Sequence, residues 1–158
     1  MILAALLFAI TVKPIETEVV IAAPVEAVWK AWTTTEGVKS FFAPDARVEA
    51  RPGGAYEIFF DPKAPAGRRG ADDMRVLVCE PMHRFAFTWN APEQFPAARP
   101  QRTRVTLVFT PVDATHTRLS FTHDGFGDGG EWPAVRAYFD RAWNEIVLPR
   151  LVAKLEQK

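Results

Sequence analysis

Residues 117–143 read TRLSFTHDGFGDGGEWPAVRAYFDRAW, and in this stretch the periodicity of the chain changes once. Up to His123 the apolar residues alternate, with Leu119, Phe121 and His123 on one side and Arg118, Ser120 and Thr122 on the other. That is the two-residue period of a half-buried strand. A glycine-rich segment, Gly125 to Gly130, interrupts it. From Glu131 to about Leu155 apolar residues recur at helical spacing: Trp132, Val135, Phe139, Ala142, Trp143, Ile146 and Val147. A strand, a flexible turn and a long last helix are therefore expected. Pro149 lacks a backbone donor and clashes with the carbonyl four residues back, so a kink or break is predicted there.

Working back from this stretch, Arg102 to Phe109 alternates as well, and Arg84 to Trp89 and Met74 to Glu80 read as further strands. Tyr56, Ile58 and Phe60 alternate with Glu57 and Asp61. Arg51 to Gly54 is a turn, and 61–70 and 90–100 are loops rich in proline and glycine. Sequential strands with short connections imply an antiparallel meander. Upstream, Ile15 to Ala23 is a strand. Pro24 opens a helix in its favoured first turn, and Val25, Val28, Trp29 and Trp32 form its buried face. Thr33 and Glu36 fit a capping box for a second short helix, which carries Val38, Phe41 and Phe42 inward and stops before Pro44. The fold class is α+β. A one-faced sheet needs a cover, and about 18 helical residues before Pro149 span about 27 Å, enough to cross several strands.

The composition narrows the functions. Among 158 residues, 19 Lys and Arg balance 19 Asp and Glu, a poor footprint for a phosphate backbone, so no nucleic-acid partner is expected. One cysteine and three histidines at no metal-ligand spacing argue against a metal or other cofactor. Neither Ser40 nor Ser120 sits in a Gly-x-Ser-x-Gly turn. Residues 1–13 form an apolar leader, too short to span a bilayer and without the basic start or Ala-x-Ala site of a signal peptide. Cytoplasmic and exported locations both stay open, and 14–158 is read as one domain.

The set VWKAWTTTEGVKSFF (28–42), RPGGAYEIFF (51–60), FAFTWN (85–90) and the opening stretch resembles the bacterial branch of the SRPBCC, or START-like, superfamily. Within it, the match is to domains grouped with the activator of heat-shock-protein ATPase. The resemblance covers about residues 15–156. It implies a helix-grip fold, a curved antiparallel sheet wrapped around a long C-terminal helix with two short helices after the first strand. It also implies a cavity for hydrophobic molecules, and in some members a chaperone partner, although this chain offers no charged docking stripe. It does not fix one activity.

Candidate lining residues follow from the inward faces. They are Tyr56, Ile58 and Phe60 from one strand, Phe87 and Trp89 from another, Phe121 and His123 from the last, and Phe139 and Trp143 from the helix. The rings either surround a cavity or fill a core; the excess of large rings, in a chain with twelve Phe and five Trp, over a one-faced sheet favours a cavity. Phe41, Phe42 and Phe95 either gate its entrance or seal the rim. Binding of a small hydrophobic molecule is the leading function. A cyclase- or hydrolase-type enzyme is the alternative, with His123 as its weak catalytic candidate and Glu57, expected to face outward, as a weaker one. Asp124 lies on the opposite strand face and is not an orienting partner for His123. Gly125 to Gly130 matches Gly-x-Gly-x-x-Gly, but Asp128 and the missing second parallel strand favour a plain turn. Arg68, Arg69, Asp72, Asp73, Arg102 and Arg104 are expected to be solvated charges.

Overall fold

The computed structural model describes residues 11–157, so the apolar leader lies mostly outside the described residues. Strand β1 (Ile15–Ile21) leads into helices α1 (Val25–Thr33) and α2 (Thr35–Phe41). Strands β2 (Asp45–Val48), β3 (Tyr56–Phe59), β4 (Gly70–Ala71), β5 (Val76–Glu80), β6 (Arg84–Trp89), β7 (Thr103–Asp113) and β8 (His116–Asp124) follow. The chain ends in α3 (Trp132–Arg141), a π-helical segment (Ala142–Val147) and α4 (Leu148–Leu155). The main sheet is antiparallel with order β1-β8-β7-β6-β5, and β2-β3-β4 form a smaller one.

The predicted meander is thus divided, and β2 and β4 are strands that alternation did not reveal. The division is incomplete. Gly53 N–H donates to Val76 O, Val76 N–H to Gly54 O and Tyr56 N–H to Met74 O, each at 2.8 Å. These bonds hang the small sheet on the β5 edge and continue the curvature of the large one. A register shift between Val76 and Val78 marks the corner, as bulges do.

Two helix starts differ from expectation. Pro24 is the N-cap of α1 rather than a residue of its first turn. For α2 the cap is Thr34, whose Oγ1 accepts from Gly37 N–H at 2.9 Å. Thr33 instead turns inward and donates to Trp29 O at 2.8 Å, so the Thr33–Glu36 box does not form.

Pro149 does not break the helix. The wider turn before it lets Leu148 N–H reach Trp143 O, five residues back. Proline leaves a carbonyl unclaimed in any case, and a π turn accommodates that defect. The extra residue also rephases the apolar stripe. Continued α-helical spacing from Trp143 leads to Arg150 and Lys154, whereas the added residue brings round Leu151 (0% exposed) and Leu155, which packs against the core. Ile146, expected inward, is pushed out to 46% exposure.

Under the helices the core is full. Tyr56 and Phe87 stack at 4.1 Å, Trp32 meets Phe41 at 5.1 Å, and Phe121 meets Trp143 at 4.8 Å. Tyr56 OH donates to Trp32 O at 2.9 Å, tying the small sheet to α1. The glycine-rich turn serves packing. A Cβ on Gly127 would stand 2.1 Å from Trp132 Nε1 and 2.6 Å from its Cδ1, so only glycine lets the first helical tryptophan lie against the turn. Gly129 and Gly130 have φ of 64° and 55° and reverse the chain just before the helix.

Gly127→Ala should therefore displace Trp132 and destabilise the fold by about 1–3 kcal/mol in urea unfolding, an overpacking cost. A loss below about 0.5 kcal/mol would show that the ring moves aside freely.

Candidate functional site

His123 is buried at the end of β8, on the inner face, and both of its ring nitrogens are engaged. Trp143 Nε1–H donates to His123 Nδ1 at 3.0 Å. Indole is only a donor, so Nδ1 is the acceptor and the proton of the neutral ring sits on Nε2. Nε2–H then donates to Thr103 Oγ1 at 2.7 Å, and the Thr103 hydroxyl in turn donates to Trp89 O at 3.3 Å. The chain of bonds runs one way, from helix through β8 and β7 to β6. Burial lowers the His123 pKa to about 3, so the ring stays neutral. No water-facing nitrogen is left to work as a base. Asp124 faces outward and binds Arg104 through two bonds of 3.0 and 2.8 Å.

The two tryptophans at the ends of this chain lie 5.7 Å apart and floor a groove of about 560 Å³. Phe42, Phe139, Ala142 and Val147 extend the apolar surface, and Asn90 to Gln94, after β6, form one wall. Phe60, Tyr138 and Ile146 line it too, and at 50%, 42% and 46% exposure they are its apolar rim. The π-helical segment supplies four of the lining residues, Ala142, Trp143, Ile146 and Val147.

Of the nine candidate lining residues, Phe60, Trp89, Phe139 and Trp143 meet at the groove. Tyr56, Ile58, Phe87 and Phe121 pack behind it in the core, with the buried His123 against Phe139 and Trp143. Phe60 is no inward strand residue, since β3 ends at Phe59 and Phe59 is itself buried. Phe42 lines the groove, Phe41 packs on Trp32, and Phe95 sits against Tyr138 outside the lining. Glu57 lies away from it, accepting from Asp73 N–H at 2.8 Å.

The opposite wall carries charge that sequence reading assigned to solvent. Asp72 is 8% exposed and accepts from Gly67 N–H (3.0 Å), Arg69 N–H (2.8 Å) and Arg69 Nε (2.7 Å). Burial works to raise its pKa, but those hydrogen bonds and the Arg69 charge together hold it below the usual carboxylate value. Asp72 thereby fixes the loop that brings Arg68, Arg69 and Gly70 to the groove. The guanidinium of Arg69 also lies 4.1 Å over the Phe59 ring. Arg68 pairs with Glu93 at 2.8 Å. Arg99 and Arg150 complete the charged lining with Asp61. A polar hollow of about 570 Å³ shares Arg68, Asn90, Glu93 and Arg99 but has no aromatic floor. Nothing in the alternation of the strands pointed to Arg99 or Arg150, because one lies in a loop and the other follows Pro149, where the phase of the helix is set by the π-helical segment.

Residues 22–156 match the family described as Activator of Hsp90 ATPase homolog 1-like protein. A crystal structure of a Mesorhizobium loti protein superposes with a TM-score of 0.69 at 27% identity, covering 92% of this chain and 95% of that one. The solution structure of an Aha1 dimer from Colwellia psychrerythraea gives 0.69 at 21% identity, covering 92% and 97%. An HSP90 activator from Plasmodium falciparum gives 0.65 at 17% identity, covering 86% and 91%. At such identities the last two establish the helix-grip fold alone. No curated protein matches the chain.

The buried imidazole makes a prediction. Its folded pKa of about 3 lies below the ordinary 6.5 of an open chain. Its contribution to stability is therefore complete above pH 6.5 and is lost as pH falls towards 3. Unfolding free energy should drop across this window by up to about 1.4 kcal/mol per pH unit from this group. His123→Asn should remove that component, so the two proteins' stability curves converge as pH falls. Parallel curves would show that His123 takes up its proton without unfolding.

Proposed function

The chain belongs to the Activator of Hsp90 ATPase homolog 1-like family, and on that premise we propose that it binds a small hydrophobic molecule in the groove between its C-terminal helix and the β6 end of the sheet. The observation that carries this reading is a space of about 560 Å³ backed by Trp89, Trp143, Phe139 and Phe42, each at most 5% exposed, and edged by the exposed Phe60, Tyr138 and Ile146. That volume lies within the usual range for small-molecule sites, which are largely apolar with a few polar groups. The exposed rim of Phe60, Tyr138 and Ile146 supports it, since large apolar side chains gathered at one mouth mark a surface that gains from being covered. Binding without catalysis is preferred, because the candidate base His123 is neutral, enclosed and bonded at both nitrogens.

The family's name supports a second reading, docking on a chaperone ATPase. Retention of such an ATPase by the immobilised protein at a one-to-one ratio would favour it.

Native mass spectrometry and thermal-shift screening against long-chain aliphatic and polycyclic aromatic compounds should yield a bound species. Ala142→Trp, which fills the groove from the helix side, should weaken that binding at least about tenfold while leaving the circular dichroism spectrum unchanged. A folded Ala142→Trp protein that binds as well as the parent would place the ligand elsewhere, and a screen without binders would remove the proposal.

A further inference from the structure

We infer that the ligand of this groove is amphipathic and carries a single carboxylate, which is met by Arg150 and Arg99. The inference rests on the binding reading above and adds the chemical class of the ligand.

Four guanidiniums line the groove, and they differ in how their charge is answered. Arg68 has Glu93, and Arg69 has Asp72 behind it and Phe59 beneath. Arg99 is held differently. It donates to three backbone carbonyls, Ala91 O at 2.7 Å, Gly67 O at 3.0 Å and Gly70 O at 3.1 Å. Carbonyls satisfy protons and fix the orientation of the fork, but they carry no net charge. Among the described residues no carboxylate is bonded to Arg99; the carboxylate of Glu93, already bound by Arg68, acts on it only through space. Arg150, in the first turn of α4, makes neither an ion pair nor a hydrogen bond with any described residue. It nevertheless lines the groove beside Ile146 and Val147.

Charge balance sets the head group. The four arginines are opposed by Asp61 and Glu93 in the lining and by Asp72 behind it, which leaves one positive charge in excess. One carboxylate neutralises that excess, whereas a doubly charged phosphate would reverse it. A planar carboxylate also matches the fork of a guanidinium through paired hydrogen bonds. The apolar floor takes the remainder of the molecule. A fully apolar ligand would leave the exposed cation of Arg150 to water and forgo that charge-assisted contact. The rephased helix is what permits this arrangement, since an uninterrupted α-helix would turn Arg150 towards the core.

The test uses a matched pair, decanoate and 1-decanol, with decylamine as the opposite charge. Binding is followed by tryptophan fluorescence at about pH 7.5 and low salt, below the micelle threshold. Decanoate should bind roughly tenfold more tightly than 1-decanol, the scale of one charge-assisted contact. Arg150→Met should abolish most of that preference, lowering the decanoate-to-decanol affinity ratio from about tenfold to about twofold or less. Equal affinity for acid and alcohol, a preference for decylamine, or a preference for decanoate untouched by Arg150→Met would each overturn the inference while leaving the groove as a binding site. Failure of all three probes to bind would overturn the inference, and an empty screen of aliphatic and aromatic compounds beside it would remove the reading on which it rests as well.

Discussion

The helix is held to the sheet by one directional run of hydrogen bonds, Trp143 to His123 to Thr103 to the carbonyl of Trp89. Each member has one role, set by chemistry. Indole only donates, a neutral imidazole donates once and accepts once, and a carbonyl only accepts. In a low-dielectric interior an unmatched member costs far more than at the surface, so the run is satisfied as a unit or not at all. It fixes the side chain at one end of the groove floor and the backbone beneath the other. The site therefore inherits its rigidity from the core behind it.

The second determinant is the misfit between the last helix and its own sequence. Trp132, Val135, Phe139 and Trp143 keep an ordinary helical stripe, and Leu151 and Leu155 resume it one residue late. The π-helical segment absorbs the slip, ahead of a proline that forfeits a hydrogen bond anyway. Two consequences meet at one place. Ile146 is exposed at the mouth, and Arg150 reaches the lining. What looks like a local defect shapes the groove on its helical side.

On the facing side, Asp72 organises a loop that has almost no regular structure. A carboxylate that accepts from two backbone N–H groups and a guanidinium does for this loop what a strand pairing does elsewhere. Arg99 reinforces it from the next loop by donating to Gly67 and Gly70. The polar wall is thus prearranged, and its arginines are held in place before any ligand arrives. A site ordered in advance loses less entropy when it is filled.

Period-two and helical spacing disclosed the α+β class, most strands, the first helix, the run of the last one up to Pro149 and the inward faces of Val28, Trp32, Phe87 and Phe121, because burial of one face imposes that spacing directly on the sequence. The family resemblance followed from the same residues. The division of the sheet, the cap at Thr34 and the phase of the last helix were decided only by the assembled fold. So was the choice of rings left at a groove, since a ring's inward direction says nothing of whether another ring meets it. Tyr56 and Phe87 lie wholly inside the packed core, whereas Trp89 and Trp143, nearly as buried and packed on each other, are the rings that back the groove. Asp72, Arg99 and Arg150 show the same limit for charge. Local sequence sets which face a side chain takes, but burial and pairing of charges are properties of segments brought together from far apart along the chain.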